Sequence, residues 1–135
     1  MMCKLVADAT NLKQTDFVVA STGVIGQPID IEPIEKGVAQ LVSELSEDGS
    51  DNAAQAIMTT DTVKKEFAVS FTLDGKECKI GAISKGSGMI HPNMATMLGF
   101  ITTDANISSE MLKKALLEVV KDSFNMLSVD GDTST

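Results

Sequence analysis

The sequence contains no arginine, tryptophan or tyrosine, and it has only one histidine and two cysteines. Its eleven basic residues are therefore all lysines, scattered along a chain whose net charge is −8. Nucleic-acid binding relies on clustered lysine and arginine, so this composition excludes a general nucleic-acid partner. Five phenylalanines remain for stacking on bases or sugars, which argues against a stacking platform as well.

The two cysteines, Cys3 and Cys78, are far apart in the sequence and form no CxxC pair. Together with the single histidine they produce no zinc-binding spacing, and no HExxH segment occurs. We therefore expect two reduced thiols and no metal site.

Long apolar runs are also missing, because no stretch approaches the roughly 20 apolar residues that a membrane helix needs. The first residues, MMCKLVADATNLK, are interrupted by charges and do not resemble a targeting segment. We expect a soluble, cytoplasmic protein with no membrane partner.

Apolar residues at helical spacing predict four helices. They are the end of a helix over 2–9, a helix with Pro33 in its first turn, a short helix from Asn52 to about Met58, and a helix capped by Ser108. Because the sequence begins inside a helical pattern and ends in the polar segment SVDGDTST, we expect a single partial domain over 1–135.

Three segments have the alternating or β-branched character of strands. Residues 16–25 and 97–103 predict buried strands, and alternation on both sides of Asp74-Gly75 predicts a hairpin over 66–84. Because helices and strands are interspersed and one connection is a hairpin, the sequence favours a layered α+β fold over a purely parallel α/β fold.

Two glycine-containing turns are candidates for ligand contact. Gly23, after Thr22, lets its backbone N–H approach a ligand, and two adjacent N–H groups can form an oxyanion hole. Lys85, which precedes Gly86, can hold a carboxylate or a phosphate, although P-loop spacing is absent. By spacing alone, an ordinary turn and a solvated lysine are the better interpretations.

The polar cluster that begins at Met58 (MTTDT) offers hydroxyl groups at a predicted helix end. Thr59 is its first hydroxyl residue, and such groups can bind a substrate amide or carboxylate. Capping and turn hydrogen bonds explain the cluster equally well without any ligand.

Thr96 ends the segment that begins at His91 (HPNMAT). A threonine becomes a nucleophile when its own α-amino group acts as base, which requires Thr96 to be N-terminal. Its hydroxyl can reach the carbonyl of Ala95 through a five-membered ring and shift the acyl group from nitrogen to oxygen. From the residues alone, Thr96 is a buried strand residue and His91 shapes a turn.

Four segments in this order resemble the ornithine acetyltransferase family, whose members are also called glutamate N-acetyltransferases. The segments are STGVIG from Ser21, MTTDT from Met58, KGSGMI from Lys85 and HPNMATML from His91. The resemblance covers essentially the whole chain, and the stretch from Lys85 to Leu98 is its most specific part.

The resemblance implies an enzyme that cuts itself between Ala95 and Thr96. The new N-terminal Thr96 then takes the acetyl group from N-acetylornithine and passes it to glutamate. Some family members also accept acetyl-coenzyme A, which is therefore a possible co-substrate, and the chemistry needs no other cofactor and no metal.

By position in the family's motifs, Thr22 and Gly23 match the oxyanion-hole pair. Thr59, Lys85 and Thr96 match substrate-binding positions, and Thr96 also matches the nucleophile. An amino-acid substrate needs a cation for its α-carboxylate, and Lys85 is the natural candidate.

The resemblance also implies a layered sandwich of sheets packed with helices, which is incomplete in this chain because the family's subunits together are longer. Residues 1–95 would be the end of one subunit and residues 96–135 the start of the next. Two such cleaved pairs would form a heterotetramer.

Two other functions fit the same residues. One is a truncated fragment without activity that only binds ligands or assembles with a partner. The other is a self-cleaving N-terminal-threonine amidohydrolase, in which water replaces glutamate as acceptor. An assay of acetylornithine with and without glutamate separates transfer from hydrolysis. The sequence leaves open whether this chain cleaves itself and whether it accepts acetyl-coenzyme A.

Overall fold

The computed structural model describes residues 1–95 and 97–134, which divide into two compact units, Met1–Gly49 and Ser50–Thr135. The first unit contains helix α1 (Met2–Thr10), a short 3-10 helix (Gln14–Asp16) and helix α2 (Glu32–Ser43). The two α-helices pack against each other. Both helices confirm the sequence prediction.

Local sequence explains where these two helices begin and end. Helix α1 stops at Asn11, which adopts the left-handed conformation with φ 57° that commonly terminates helices. Helix α2 has Pro33 near its start. Glu32 and Glu35 lie in its first turn, where their negative charges interact favourably with the positive end of the helix dipole.

The prediction of a buried strand at residues 16–25 is wrong. The structure assigns neither helix nor strand to residues 17–31, and the side chain of Val18 is 98% exposed. A strand is stable only when it pairs with another, and the described part of the first unit contains no second strand. Apolar, β-branched composition therefore does not suffice here.

The second unit is built on an antiparallel sheet of three strands in the order β1-β2-β3. The strands are β1 (Lys65–Leu73), β2 (Lys76–Lys85) and β3 (Leu98–Thr103). Asp74 and Gly75 join β1 to β2 with φ of 50° and 74°, the left-handed pair that a two-residue type I′ hairpin turn requires. The hairpin prediction is confirmed.

Helical segments precede and follow this sheet. Helix α3 (Ser50–Ala56) begins two residues before the predicted start, and helix α4 (Ser109–Val119) is followed by two 3-10 turns, Val120–Asp122 and Phe124–Met126. Ser108 caps α4 as predicted, since its Oγ accepts a hydrogen bond from the backbone nitrogen of Met111 at 3.3 Å.

Helices lie against both faces of the sheet. Because side chains alternate along a strand, Ile83 and Phe100 share one face with Thr102, whereas Gly99 and Ile101 share the other. The first three line a cavity with Ser50 and Ala53 of α3. The last two line a separate cleft with α4 and the residues that follow it.

Strand β3 lies at the edge of the described sheet and is not buried, contrary to the prediction. Ile101 is 49% exposed, and four of the six β3 residues are exposed. The described residues pair β3 with β2 alone, which leaves its other edge open. Helices together with an antiparallel sheet nevertheless confirm the α+β class. The division of the chain between residues 95 and 96 stays a prediction.

Candidate active site

Asp61 organises the corner where the turn after α3 meets the end of β2. Its Oδ1 accepts hydrogen bonds from the backbone nitrogen of Gly86 at 2.8 Å and from Nζ of Lys65 at 2.5 Å. Its Oδ2 accepts a longer bond from the backbone nitrogen of Thr59 at 3.4 Å. One carboxylate therefore ties both segments together.

Burial and hydrogen bonding act on Asp61 in opposite directions. Its side chain is only 1% exposed, and desolvation raises the pKa of the carboxyl group. The hydrogen bonds from Lys65, Gly86 and Thr59, together with the charge of Lys65, outweigh that effect and lower the pKa of Asp61 to about 2. Asp61 is consequently ionised at neutral pH.

Lys85 and Thr59, two predicted substrate-binding residues, are in direct contact. Nζ of Lys85 donates a hydrogen bond to Oγ1 of Thr59 at 2.8 Å. In the described part of the chain, no carboxylate lies within 4.0 Å of the Lys85 ammonium, and Asp61 is paired with Lys65. With respect to the described residues, the Lys85 ammonium therefore keeps two N–H donors for a ligand, and the Thr59 hydroxyl keeps its proton.

A second link joins the same two segments nearer the surface. Oγ1 of Thr60 and Oγ of Ser87 are 2.5 Å apart and share one hydrogen bond. The turn of residues 59–61 and the loop of residues 85–87 are thus connected by three side-chain contacts. These contacts fix the position of Lys85, so its interpretation as a freely solvated loop residue is not supported.

The loop after β2 continues toward Ala95 and is fixed by residues far downstream. Asp130 accepts hydrogen bonds from the backbone nitrogens of Met89 at 2.7 Å and Ile90 at 3.0 Å. Oγ1 of Thr133 donates to the carbonyl of His91 at 2.8 Å. The backbone hydrogen bonds that Asp130 accepts, above all the one from Met89, hold the pKa of its carboxyl group below the usual value. The polar end of the sequence is therefore bound to this loop.

An apolar cleft of about 150 Å³ lies beside the same loop. Pro92, Met94 and Met97 line it. Apolar side chains of α4 and the following turns, Leu116, Val120 and Phe124, also line it, together with Gly99 and Ile101 of β3 and the amide of Asn125. An aliphatic group of a small ligand fits such a surface.

The remaining predicted site residues are Thr22, Gly23 and Thr96. Thr22 and Gly23 lie in the exposed 17–31 segment of the first unit, where a Cβ added at Gly23 would meet only Ile29, at 3.8 Å. Thr96 lies outside the described residues. The oxyanion-hole and nucleophile assignments stay predictions.

Sequence reasoning missed the two aspartates that hold this site. Asp61 belongs to the MTTDT segment but was given no role, and Asp130 lies in the SVDGDTST segment, which was interpreted only as a polar end. The one available signal was a carboxylate beside threonines or glycines, a pattern typical of turns that bind backbone amides. No spacing rule connects residue 130 with residue 89.

Two further features bear on ligands and location. Within residues 1–95 and 97–134, no group of three or more histidine, cysteine, aspartate or glutamate side chains can hold a metal ion. None of the described helices is both long and apolar enough to span a bilayer. The expectation that the chemistry needs no metal or cofactor stays a prediction.

Comparison with known proteins relates the chain to a family. The sequence model of the ArgJ family matches residues 1–135, the whole chain. The chain belongs to the ArgJ family. This confirms the resemblance on which the site residues were assigned.

Several arginine biosynthesis bifunctional proteins are similar to this chain. ArgJ 1 of Clostridium acetobutylicum is 54% identical over 135 residues, which are all of this chain and 33% of that protein. The protein of Thermotoga neapolitana is 52% identical over 134 residues, 99% of this chain and 34% of its own length. The protein of Symbiobacterium thermophilum is 50% identical over 134 residues, which are 99% of this chain and 33% of that protein. The chain spans about a third of these relatives.

Proposed function

We propose that this chain is the part of an arginine-biosynthesis acetyltransferase that holds both the self-cleavage bond and the binding site for the substrate carboxylate. The observation that carries the proposal is the pairing of Lys85 with Thr59 at 2.8 Å beside an aspartate already neutralised by another lysine. A cation next to a hydroxyl donor suits the α-carboxylate of an amino acid. Family membership supports the same assignment.

The first reaction in this proposal is cleavage of the Ala95–Thr96 bond. Oγ of Thr96 attacks the carbonyl carbon of Ala95, its proton passes to the amide nitrogen, and the C–N bond breaks. Water then hydrolyses the resulting ester, which leaves a carboxylate on Ala95 and a free hydroxyl and α-amine on Thr96. The α-amine supplies the base that an unactivated threonine lacks.

The second reaction is acetyl transfer in two steps. The α-amine accepts the proton of Oγ while Thr96 attacks the acetyl carbonyl of N-acetylornithine, and ornithine leaves with that proton on its amine. The amine of glutamate then attacks the acetyl-threonine ester and regenerates Thr96. Backbone or hydroxyl donors of Thr22 and Gly23 would stabilise the oxyanion in both steps.

The proposal extends to the assembly around this chain. The resemblance supports a layered sandwich of sheets and helices, a heterotetramer of two cleaved pairs, and a cytoplasmic location. It also supports acetyl-coenzyme A as a co-substrate, with no metal or other cofactor. Helices against both faces of the sheet in the second unit are compatible with such layers.

Intact mass of the complete gene product tests the cleavage step. We expect a cut that leaves Thr96 as a new N-terminus, and for this chain alone pieces of 95 and 40 residues. Thr96→Ala should abolish the cut and all acetyl transfer, whereas Thr102→Ala, at an exposed strand position, should leave both intact. Acetyl transfer retained by the Thr96→Ala protein would contradict the proposal.

Steady-state kinetics tests the carboxylate site. Lys85→Met should raise KM for N-acetylornithine about 10- to 100-fold, since a charge-assisted hydrogen bond contributes roughly 1.5–3 kcal/mol. Lys76→Met, at an exposed position beside the hairpin turn, is the matched control and should change KM little. Glutamate-dependent product formation distinguishes transfer from hydrolysis. An unchanged KM in the Lys85 variant would remove this residue from the site.

A further inference from the structure

The loop before the cleavage bond is held in an unfavourable backbone conformation. Five described residues other than glycine have positive φ. Asn11 ends a helix and Asp74 lies in a type I′ turn, so both have an ordinary local reason. The other three, Met89, Asn93 and Met94, lie within the last seven residues before Thr96, with φ of 53°, 38° and 65°.

The two methionines are the unusual members of this group. Asparagine tolerates the left-handed region, whereas a long side chain such as that of methionine rarely occurs there. Such residues persist only where the surrounding structure determines their conformation, and they concentrate at functional sites. Something outside the loop must therefore hold Met89 and Met94.

The structure provides one side-chain oxygen for each of the two methionines. The backbone nitrogen of Met89 donates to Oδ2 of Asp130 at 2.7 Å, and that of Met94 donates to Oδ1 of Asn125 at 2.9 Å. Both acceptors come from the chain downstream of Thr96. A backbone bond from the nitrogen of Val129 to the carbonyl of Ile90, at 2.9 Å, reinforces the same contact.

The loop closes tightly just before the bond in question. The backbone nitrogen of Ala95 donates to the carbonyl of Pro92 at 2.5 Å, and Pro92 itself is buried. The orientation of the Ala95 carbonyl, which the hydroxyl of Thr96 must attack, therefore depends on the turn of residues 92–95. That turn contains Met94 and is fixed through Asn125.

We propose that Asp130 and Asn125 are positioning residues for the self-cleavage: they clamp the strained loop of residues 89–95 and thereby orient the Ala95 carbonyl for attack. This inference rests on the proposed function. Neither side chain takes part in the bond changes, which remain those of Thr96, Ala95 and water. They contribute by positioning the reacting groups, and a small misplacement of such groups can lower the reaction rate about 100-fold.

The test is the rate of cleavage of the complete gene product, followed by intact mass after synthesis. Asp130→Ala and Asn125→Ala should each slow cleavage about 10- to 100-fold. Asp130→Asn keeps one oxygen for a backbone amide and should recover part of the rate. Asp122→Ala, an exposed carboxylate of the same downstream segment, should cleave at the wild-type rate.

A stability-matched variant separates positioning from folding. Ala54→Gly removes a buried methyl group from α3, which contributes no residue to the loop or to its two acceptors. Unfolding midpoints of all variants are compared in an uncleavable Thr96→Ala background. If Asp130 and Asn125 merely stabilise the fold, Ala54→Gly should slow cleavage as much as an Asp130 or Asn125 variant with the same unfolding midpoint does. That result, or wild-type rates in the Asp130 and Asn125 variants, would overturn the inference alone. An uncut wild-type protein would overturn the inference together with the proposed cleavage.

Discussion

Two aspartates hold the loop that joins β2 to β3, and they do so in opposite surroundings. Asp61 is 1% exposed at its side chain and pairs with the ammonium of Lys65, whereas Asp130 is exposed and binds backbone amides alone. A buried carboxylate needs a counter-charge to remain ionised, while an exposed one can rely on water. The difference suggests that Asp61 mainly stabilises the fold and Asp130 mainly sets a local conformation.

The largest expected effect is therefore the loss of Asp61. Asp61→Ala leaves the backbone nitrogens of Gly86 and Thr59 without their acceptor, and we expect the free energy of unfolding to fall by about 2–4 kcal/mol. Urea denaturation in the Thr96→Ala background measures it, and the matching Asp130→Ala variant should lose clearly less. Equal losses in the two variants would remove the distinction between the aspartates.

Acid pH tests the stabilising role of Asp61 in another way, because protonation removes the charge of its carboxylate without changing the size of the side chain. The pKa of Asp61 is lowered from 3.8 to about 2 in the folded protein, so the folded state favours the ionised form. The resulting stabilisation, on the order of 2 kcal/mol, is present above about pH 4 and is lost as pH falls from about 4 to 2. Asp61→Asn should flatten this part of the stability profile, and Asp122→Asn should not. A profile that keeps its full slope in the Asp61 variant would contradict the assignment.

Gly86 tests the backbone that Asp61 holds. Its φ is 154°, and an added Cβ would lie 2.7 Å from Cδ1 of the buried Ile90. We expect Gly86→Ala to reduce the free energy of unfolding by about 1–2 kcal/mol, because alanine is strained at this φ and displaces Ile90. Gly88→Ala is the control, since its Cβ would have only Asp130 Oδ2 nearby, at 4.0 Å. An unaffected Gly86 variant would show that the loop has room to adjust.

Local patterns in the sequence predicted most of the helices and strands but not the contacts between distant segments. The hairpin could be predicted because two adjacent residues, Asp74 and Gly75, determine the turn geometry that it requires. Residues 16–25 were mistaken for a strand because pairing, which the sequence does not display, decides strand formation. The sequence likewise does not display contacts between distant residues. Thr59 and Lys85 were assigned to substrate binding only through a family resemblance, their hydrogen bond was not predicted, and Asp130 was missed.

The smallest expected effect concerns the surface link of the Asp61 corner. Thr60 and Ser87 share a hydrogen bond of 2.5 Å between exposed or half-buried hydroxyls, where water competes for both groups. A double-mutant cycle with Thr60→Val and Ser87→Ala should give a coupling free energy of about 0.5–1 kcal/mol. The control cycle pairs Thr60→Val with Ser70→Ala on β1 and should give none.

The coupling between Thr60 and Ser87, although small, shows whether Asp61 is needed to hold the two segments together. If it persists in the Asp61→Asn background, the turn of residues 59–61 and the loop of residues 85–87 stay together without the buried ion pair. Lys85 would then keep its position against Thr59, and KM for N-acetylornithine should change little. If the coupling disappears with Asp61, the buried carboxylate alone assembles the corner, and KM should rise in the Asp61→Asn protein as it does in Lys85→Met.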